Sequence, residues 1–393
     1  MNAIVRSERF SAVALLTAAI LGLAAANSPL ASALAAALHW HPPLGALGLD
    51  LSIAHWVSDG LLAIFFLLVA IELKHELVAG ELANVHRAAV PAIAAVGGVV
   101  VPAALYLALT NGSGLEQGWP VPTATDIAFA LGILAIFGRG LPQNLRVFLL
   151  ALAVLDDLIA IIIIAVVFAH GTDFIALGGA AIALAAFWVV ARVTVSRRLA
   201  RSIRIAALIV LGVGAWWLVY QSGVHATIAG VALGLLLPRD AGHRVYERLD
   251  PWSNVVVLPV FAFAAATVPI PSVGLPDLSP AFWAIVVALP VGKVLGITLF
   301  GGVAGRFLGR SAGSRLPFWS LVTVGTLGGV GFTVSLLMNE LAFTSNAEIV
   351  DQGTLAVLVG SGVSMIAGAG AVALRAAAQR RQPLPAPELR TPQ

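Results

Sequence analysis

The chain contains no cysteine, which excludes disulfides and thiolate metal sites. Charge is nearly as scarce. Only 10% of its 393 residues are Asp, Glu, Lys or Arg, against about 25% in soluble domains. No hydrophilic stretch is long enough for a separate soluble domain. The net charge is only +3, and the bases are spread between apolar runs, so nucleic acid has no basic patch to bind. What is present is apolar, 60% of all residues. The chain reads as an all-α polytopic membrane protein surrounded by lipid, because a helix satisfies its own backbone within the bilayer.

Apolar segments of spanning length fall at 10–26, 54–77, 88–109, 119–138, 145–169, 175–194, 203–218, 222–237, 253–268, 281–304, 317–340 and 353–376. They predict about 12 transmembrane helices. Lysine and arginine test that number. They are missing from the stretches 27–53, 110–118, 170–174, 219–221, 269–280 and 341–352, so every second connection has none. The other connections and span ends hold 21 of the 22 bases. By the positive-inside rule that basic face is cytoplasmic, and it carries both termini. The first 26 residues fit two patterns. Arg6 and Arg9 before a short apolar run resemble a cleavable signal peptide, and the same run serves as a first span. We take it as a span. Residues 1–376 form one transmembrane unit, and 377–393 form a polar cytoplasmic tail expected to be disordered.

The remaining base is Lys293, about twelve residues into the tenth span and too deep to snorkel. A lysine there needs an intramembrane acid. Asp126, Asp156 and Asp157 are the candidates. Asp156 and Asp157 sit mid-way along the most apolar run, LRVFLLALAVLDDLIAIIIIAVVFAH (145–170). Each charge there costs about 2.5–3.5 kcal/mol on insertion scales. Their neighbours offset that cost without explaining why the pair is there. An ionisable residue at that depth marks a functional site.

Asp126 follows Pro120 and Pro122 and is flanked by Thr123 and Thr125. Prolines free backbone carbonyls, which survive at depth only inside protein or along a cavity. Gly328, Gly329 and Gly331 mark a second interruption. Glycines in a span also serve close helix packing, and here we favour an unwound stretch. Spans 3–5 and 10–12 then share an order, with an interrupted member in the middle. One triplet starts inside and the other outside. This describes an inverted-topology repeat with two interrupted helices and a midplane binding site.

At these residues the sequence resembles the NhaA family of sodium/proton antiporters, itself a standard example of inverted-repeat transporters. The stretches that carry the resemblance are FFLLVAIELKHEL (65–77), PTATDIAFALGIL (122–134), LAVLDDLIAI (152–161), SGVHATIAG (222–230) and TLGGVGFTVSLL (326–337). It implies a transport core over 88–169 and 281–376, with panel spans mainly over 10–77 and 203–268. Asp156 and Asp157 match the family's paired aspartates, which hold sodium. Asp157 corresponds to the principal sodium and proton carboxylate, and Lys293 to the lysine that pairs with Asp156. Thr125 and Asp126 match the helix crossing, where the acid offsets facing helix dipoles. Glu72, His75 and Glu76 fall in the cytoplasmic, pH-responsive funnel. The resemblance further implies a homodimer, with a hairpin between spans one and two, in a bacterial inner membrane. No organic cofactor is implied; the cargo is Na+ or Li+ and H+. Three departures touch the pH response rather than the ion site: Asp250 in LDPW replaces a histidine, FAFAAATV (261–268) lacks the usual Asn and Gly, and His75 replaces a common arginine.

Adjacent helical residues point about 100° apart. That suits a division of labour, with Asp157 as ligand and Asp156 as partner of Lys293. Sodium and protons then compete for Asp157 in an alternating-access, electrogenic antiport. An ion-coupled symporter on the same fold would need more polar groups to orient a solute. An intramembrane aspartyl protease pairing Asp126 with Asp156 or Asp157 would leave Lys293 unexplained beside a dyad that must share a proton. His225 reads as a packed or hydrogen-bonded histidine. Trp56, Trp119, Trp283 and Trp319, near span ends, read as interfacial anchors.

Overall fold

A computed structural model of the protein describes residues 8–45, 48–138, 141–168, 173–194, 198–270, 277–308 and 316–380. The chain begins with α1 (Glu8–Ala26) and α2 (Ala31–Leu38), which meet at 114°. Then come α3 (Ile53–Ala79) and α4 (Val85–Thr110). Two 3-10 turns, Glu116–Gly118 and Val121–Thr123, lead into α5 (Ile127–Phe137). The paired aspartates lie on α6 (Gln143–Val167), followed by α7 (Phe174–Arg192) and α8 (Arg198–Gln221). Two shorter helices, α9 (Thr227–Leu236) and the polar α10 (Arg239–Trp252), precede α11 (Leu258–Ala265). The last part is α12 (Pro280–Phe307), the bent pair α13 (Phe318–Gly328) and α14 (Phe332–Ala342), and α15 (Ala347–Arg380).

Among the described residues, eight helices are long and apolar enough to cross a membrane, or ten if each bent pair counts as one span. The expected twelve are therefore not reached on length. The shortfall lies at 222–237 and 253–268. The first yields a helix of only ten residues, α9, about 15 Å long. The second runs on from the polar α10 through a π-helical turn, Ser253–Val257, into the eight-residue α11, so the apolar part of this helix is short. Hydropathy registers an apolar segment and cannot see where a helix begins or ends.

Three further expectations change. Where a hairpin was expected, the described residues hold α2, without any strand. The tail begins later than residue 377, because α15 continues to Arg380; residues 381–393, with Arg381 and Arg390, lie outside the described set, as do Arg6, Arg139, Arg197, Arg310 and Arg315. Of the four tryptophans, Trp283 and Trp319 do face outward. Trp56 instead stacks on Trp216 at 5.6 Å, and Trp119 packs against the core.

The apolar surface follows the solvent. Helices α7 and α8 turn most of their residues outward, including Ile175, Ile182, Leu199 and Val210, whereas most of α6 is enclosed. Exposed aliphatics at this density suit lipid, not water. Around α6 pack α3, α4, α5 and α13.

Small residues bring α4 and α12 together. A Cβ on Gly296 would stand 2.0 Å from the Gly97 carbonyl oxygen, and one on Gly292 would stand 2.6 Å from Pro102 Cα. Backbones this close require glycine, as at membrane helix contacts generally. Just before Lys293, α12 widens into a π turn, Ala288–Gly292. Pro290, which lacks an amide hydrogen, accounts for the local change of bonding.

Candidate functional site: the helix crossing and the paired aspartates

The chain leaves the turn Val121–Thr123 extended at Ala124 and re-enters a helix at Ile127. The second interruption lies between Gly328 and Phe332, where α13 and α14 bend by 53°. The two breaks lie against each other. The Asp126 amide donates to the Val330 carbonyl at 2.6 Å, and Thr125 Oγ1 donates to the Gly328 carbonyl at 2.8 Å. Freed backbone groups of one interruption thus satisfy the other, which is how irregular backbone persists at depth. The glycines here hold negative φ, so space is what they supply: a Cβ on Gly329 would meet Ser364 Oγ at 2.6 Å. Phe332, at φ 20°, is the one positive-φ non-glycine among the described residues. Its amide donates to Ser361 Oγ at 3.1 Å.

Asp126 caps two half-helices at once. Its Oδ1 accepts from the amides of Ala128 and Phe129, at the start of α5. Its Oδ2 accepts from Thr333 Oγ1 at 2.7 Å and the Thr333 amide at 3.3 Å, in the first turn of α14. Two helix N-termini therefore converge on one carboxylate, where their dipoles favour negative charge.

Lys293 is fully enclosed. Its Nζ donates to Asp156 Oδ2 at 2.8 Å and to Thr125 Oγ1 at 2.9 Å. Of the three candidate acids, the structure pairs it with Asp156. Thr125 ties this ion pair to the crossing, since it accepts from Lys293 and donates to Gly328. Asp157 differs. It is 7% exposed, yet no described residue makes a hydrogen bond to its side chain. The charged groups within reach are Asp156, Asp126, Glu72 and Lys293. A buried carboxylate without a partner is costly unless a cation or proton neutralises it.

Glu72, His75 and Glu76 lie together near the end of α3, on a cavity of about 210 Å³ that Lys74, Arg239, His243 and Tyr246 also line. Tyr246 Oη donates to Glu72 Oε2 at 3.4 Å. Burial, and the nearby carboxylates of Glu72 and Asp250, push the Tyr246 hydroxyl above its ordinary range, so it remains a donor. Asp250, in the place of the absent histidine, accepts from Asn254 Nδ2 at 2.9 Å. Lys74 does not point into solvent. Its Nζ donates to the carbonyls of Leu235 and Leu237, closing the C-terminus of α9.

Sequence reasoning reduced the deep acids to three and so missed two. Asp59 lies in the π turn Trp56–Leu61 and is 7% exposed. Glu340 lies near the end of α14. Both stand close to predicted span ends, where an acid ordinarily meets water. Helix packing buries Asp59 and leaves Glu340 half-buried. His225, expected to be packed or hydrogen-bonded, has Nδ1 at 3.2 Å from Asp59 Oδ1.

Comparison with known proteins identifies one family. The family described as Na+/H+ antiporter 1 matches residues 2–372. The chain is 58% identical over 384 residues to the Na(+)/H(+) antiporter NhaA 2 of Clavibacter michiganensis, covering 97% of this chain and 94% of that one. It is 46% identical to the Na(+)/H(+) antiporter NhaA of Tropheryma whipplei, covering 92% and 93% of the two chains. It is also 46% identical to NhaA 3 of Streptomyces coelicolor, covering 91% of this chain and 76% of that one.

Proposed function

The chain belongs to the NhaA family of Na+/H+ antiporters, and we propose that it exports sodium, and lithium, in exchange for protons, with both cations competing for Asp157. It is a multi-pass membrane transporter and not an enzyme. The observation that carries the proposal is the contrast on α6: Asp156 is held by Lys293, whereas the adjacent Asp157 has no hydrogen-bond partner among the described residues. A site with one uncommitted carboxylate, threonine oxygens and unwound carbonyls fits a small bare cation better than an organic solute.

The cycle runs between two faces of the crossing. With the basic face cytoplasmic, sodium enters by the cavity at Glu72 and Glu76 and passes to Asp157, for which Glu72 is within electrostatic reach. Sodium displaces the proton there, the two inverted triplets rock about the crossing, and a proton from outside displaces sodium. Asp156 and Lys293 respond to whichever cation occupies Asp157. More than one group then changes protonation per sodium, which makes transport electrogenic. Glu72, Glu76 and His75 set its pH response, with Asp250 and Tyr246 in place of histidine. The working form is a homodimer in a bacterial inner membrane, both termini cytoplasmic.

The test uses everted vesicles carrying an acridine dye, with sodium, lithium or potassium added across a pH series. Sodium and lithium should dissipate the proton gradient in the wild type and fail to do so in Asp157→Asn. Dissipation by Asp157→Asn at the wild-type rate defeats the assignment.

A further inference from the structure

Helix α15 lays a run of small residues, GSGVSMIAGAG (360–370), against α13 and α14. Close packing accounts for some of them: Gly360 meets Leu289, and Gly368 meets Leu327. It does not account for Ser361 and Ser364. Both are enclosed, they lie one turn apart, and they meet the second interruption differently. Ser361 Oγ accepts from the Phe332 amide. Phe332 is the residue at φ 20°, a conformation that a residue with a Cβ resists, so this bond holds the backbone where it would not otherwise stay. Ser364 Oγ is buried with no hydrogen-bond partner among the described residues. An acceptor is close. The point that a Cβ on Gly329 would occupy lies 2.6 Å from Ser364 Oγ and 3.2 Å from the Leu289 carbonyl oxygen. Gly329 thus faces hydroxyl and carbonyl together. Leu289 belongs to the π turn Ala288–Gly292 that leads into Lys293. Ser364 also lines a cavity of about 250 Å³ with Pro290, Val294 and Thr326, so these elements have room to shift against one another.

We propose that Ser361 and Ser364 are positioning residues of the transport cycle, one for each conformation of the second interruption. In the conformation seen here Ser361 holds Phe332. In the opposite one Phe332 relaxes and releases Ser361, Gly329 withdraws, and the Ser364 hydroxyl donates to the Leu289 carbonyl. One hydrogen bond is exchanged for another, and no covalent bond changes. The first state carries two costs, a strained phenylalanine and a buried hydroxyl without a bond. They offset the bonds that the crossing makes there, from the Asp126 amide to Val330 and from Thr125 to Gly328, so neither state dominates. Leu289 stands one turn before Lys293, which ties the exchange to the helix that holds Asp156. The inference deepens the antiport reading and rests on it, since it takes the two triplets to rock about the crossing.

The test reads which conformation is populated. The chain has no cysteine, so Gly242→Cys, on the cavity at Glu72, introduces a single thiol. Its rate of reaction with a water-soluble maleimide, in detergent and without sodium, follows the population of the conformation seen here. In that background Ser361→Ala should lower the rate several-fold, because it frees Phe332. Ser364→Ala should raise it, because it removes the bond of the opposite state. The double variant should fall between them. Ser364→Thr keeps the hydroxyl, has the cavity for its extra methyl group, and should react as the parent does. Residues that only fill space would move the rate in one direction, so shifts of the same sign, or no shift, overturn the proposal. So does a Ser364→Thr rate equal to that of Ser364→Ala. The second arm is sodium-dependent dissipation of a proton gradient in everted vesicles, where each alanine variant should lower the maximal rate several-fold and Ser364→Thr should restore it. Wild-type maximal rates in both alanine variants overturn the proposal and leave the antiport reading intact. Opposite labelling shifts in a protein whose wild type moves no sodium uphold the serine exchange and defeat the antiport reading instead.

Discussion

Asp126 at the crossing and Asp157 on α6 are both buried aspartates, and their surroundings are opposite. Four donors fill both oxygens of Asp126, two from each half-helix. Among the described residues no donor reaches Asp157. Asp156 lies between these extremes, with Oδ2 on Lys293 and Oδ1 unpartnered. A carboxylate with every lone pair committed fixes geometry and has nothing to offer a passing ion. One with none committed adds little to the fold and is open to a cation. Depth alone therefore does not mark a transport carboxylate; the state of its hydrogen bonds does.

The largest effect expected is on flux. Asp157→Asn should reduce sodium-dependent proton movement to background while leaving the thermal unfolding midpoint of the detergent-solubilised protein unchanged or higher, since a buried charge without a partner has been removed. A large fall in that midpoint would make Asp157 structural, like Asp126. Next comes the ion pair. Lys293→Ala leaves Asp156 as an uncompensated buried charge, a loss of about 3–5 kcal/mol. Adding Asp156→Ala should recover part of that loss, and a double-mutant cycle measures how much the two residues are coupled.

Asp126→Ala uncaps α5 and α14 together. At about 1 kcal/mol per cap, a loss of about 2 kcal/mol is expected. Asp126→Asn, which can still accept, should lose less. If both variants are as stable as the wild type, the two caps do not hold the crossing. The smallest effect lies at the Glu72 cavity. Tyr246→Phe removes one long hydrogen bond to Glu72, and should displace the pH profile of transport without lowering its maximum. An unmoved profile would separate Glu72 from the pH response.

The roles argued for Asp126, Asp156 and Lys293 drew on different signals. That Lys293 needed an acid was legible from its position alone, because a lone lysine cannot stay unpaired twelve residues into a span. Which acid it meets was not. That depends on how far α12 slides along α4, which Gly97, Gly292 and Gly296 permit through their bulk, or lack of it. The interruption at 326–337 was legible as a choice between packing glycines and an unwound stretch. The structure contains both, since the break exists and its glycines are needed for space. Two of the twelve expected spans, 222–237 and 253–268, fall short of spanning length among the described residues, the first as a ten-residue helix and the second as the short apolar continuation of the polar α10. Asp59 and Glu340 escaped notice for a similar reason: nearness to a span end says nothing about which helix covers it.

By itself the sequence determined that the chain lives in a membrane, which loops carry bases, where helices break, and which charges lie too deep to be incidental. These follow from composition, period and the cost of a charge in hydrocarbon, all local quantities. Tertiary structure decided which of those charges are spent. Asp126 is committed to two helix ends, Asp156 to Lys293, and Asp157 to neither. A hydrogen bond forms only between groups held about 3 Å apart, and residues separated by over a hundred positions reach that distance through packing alone.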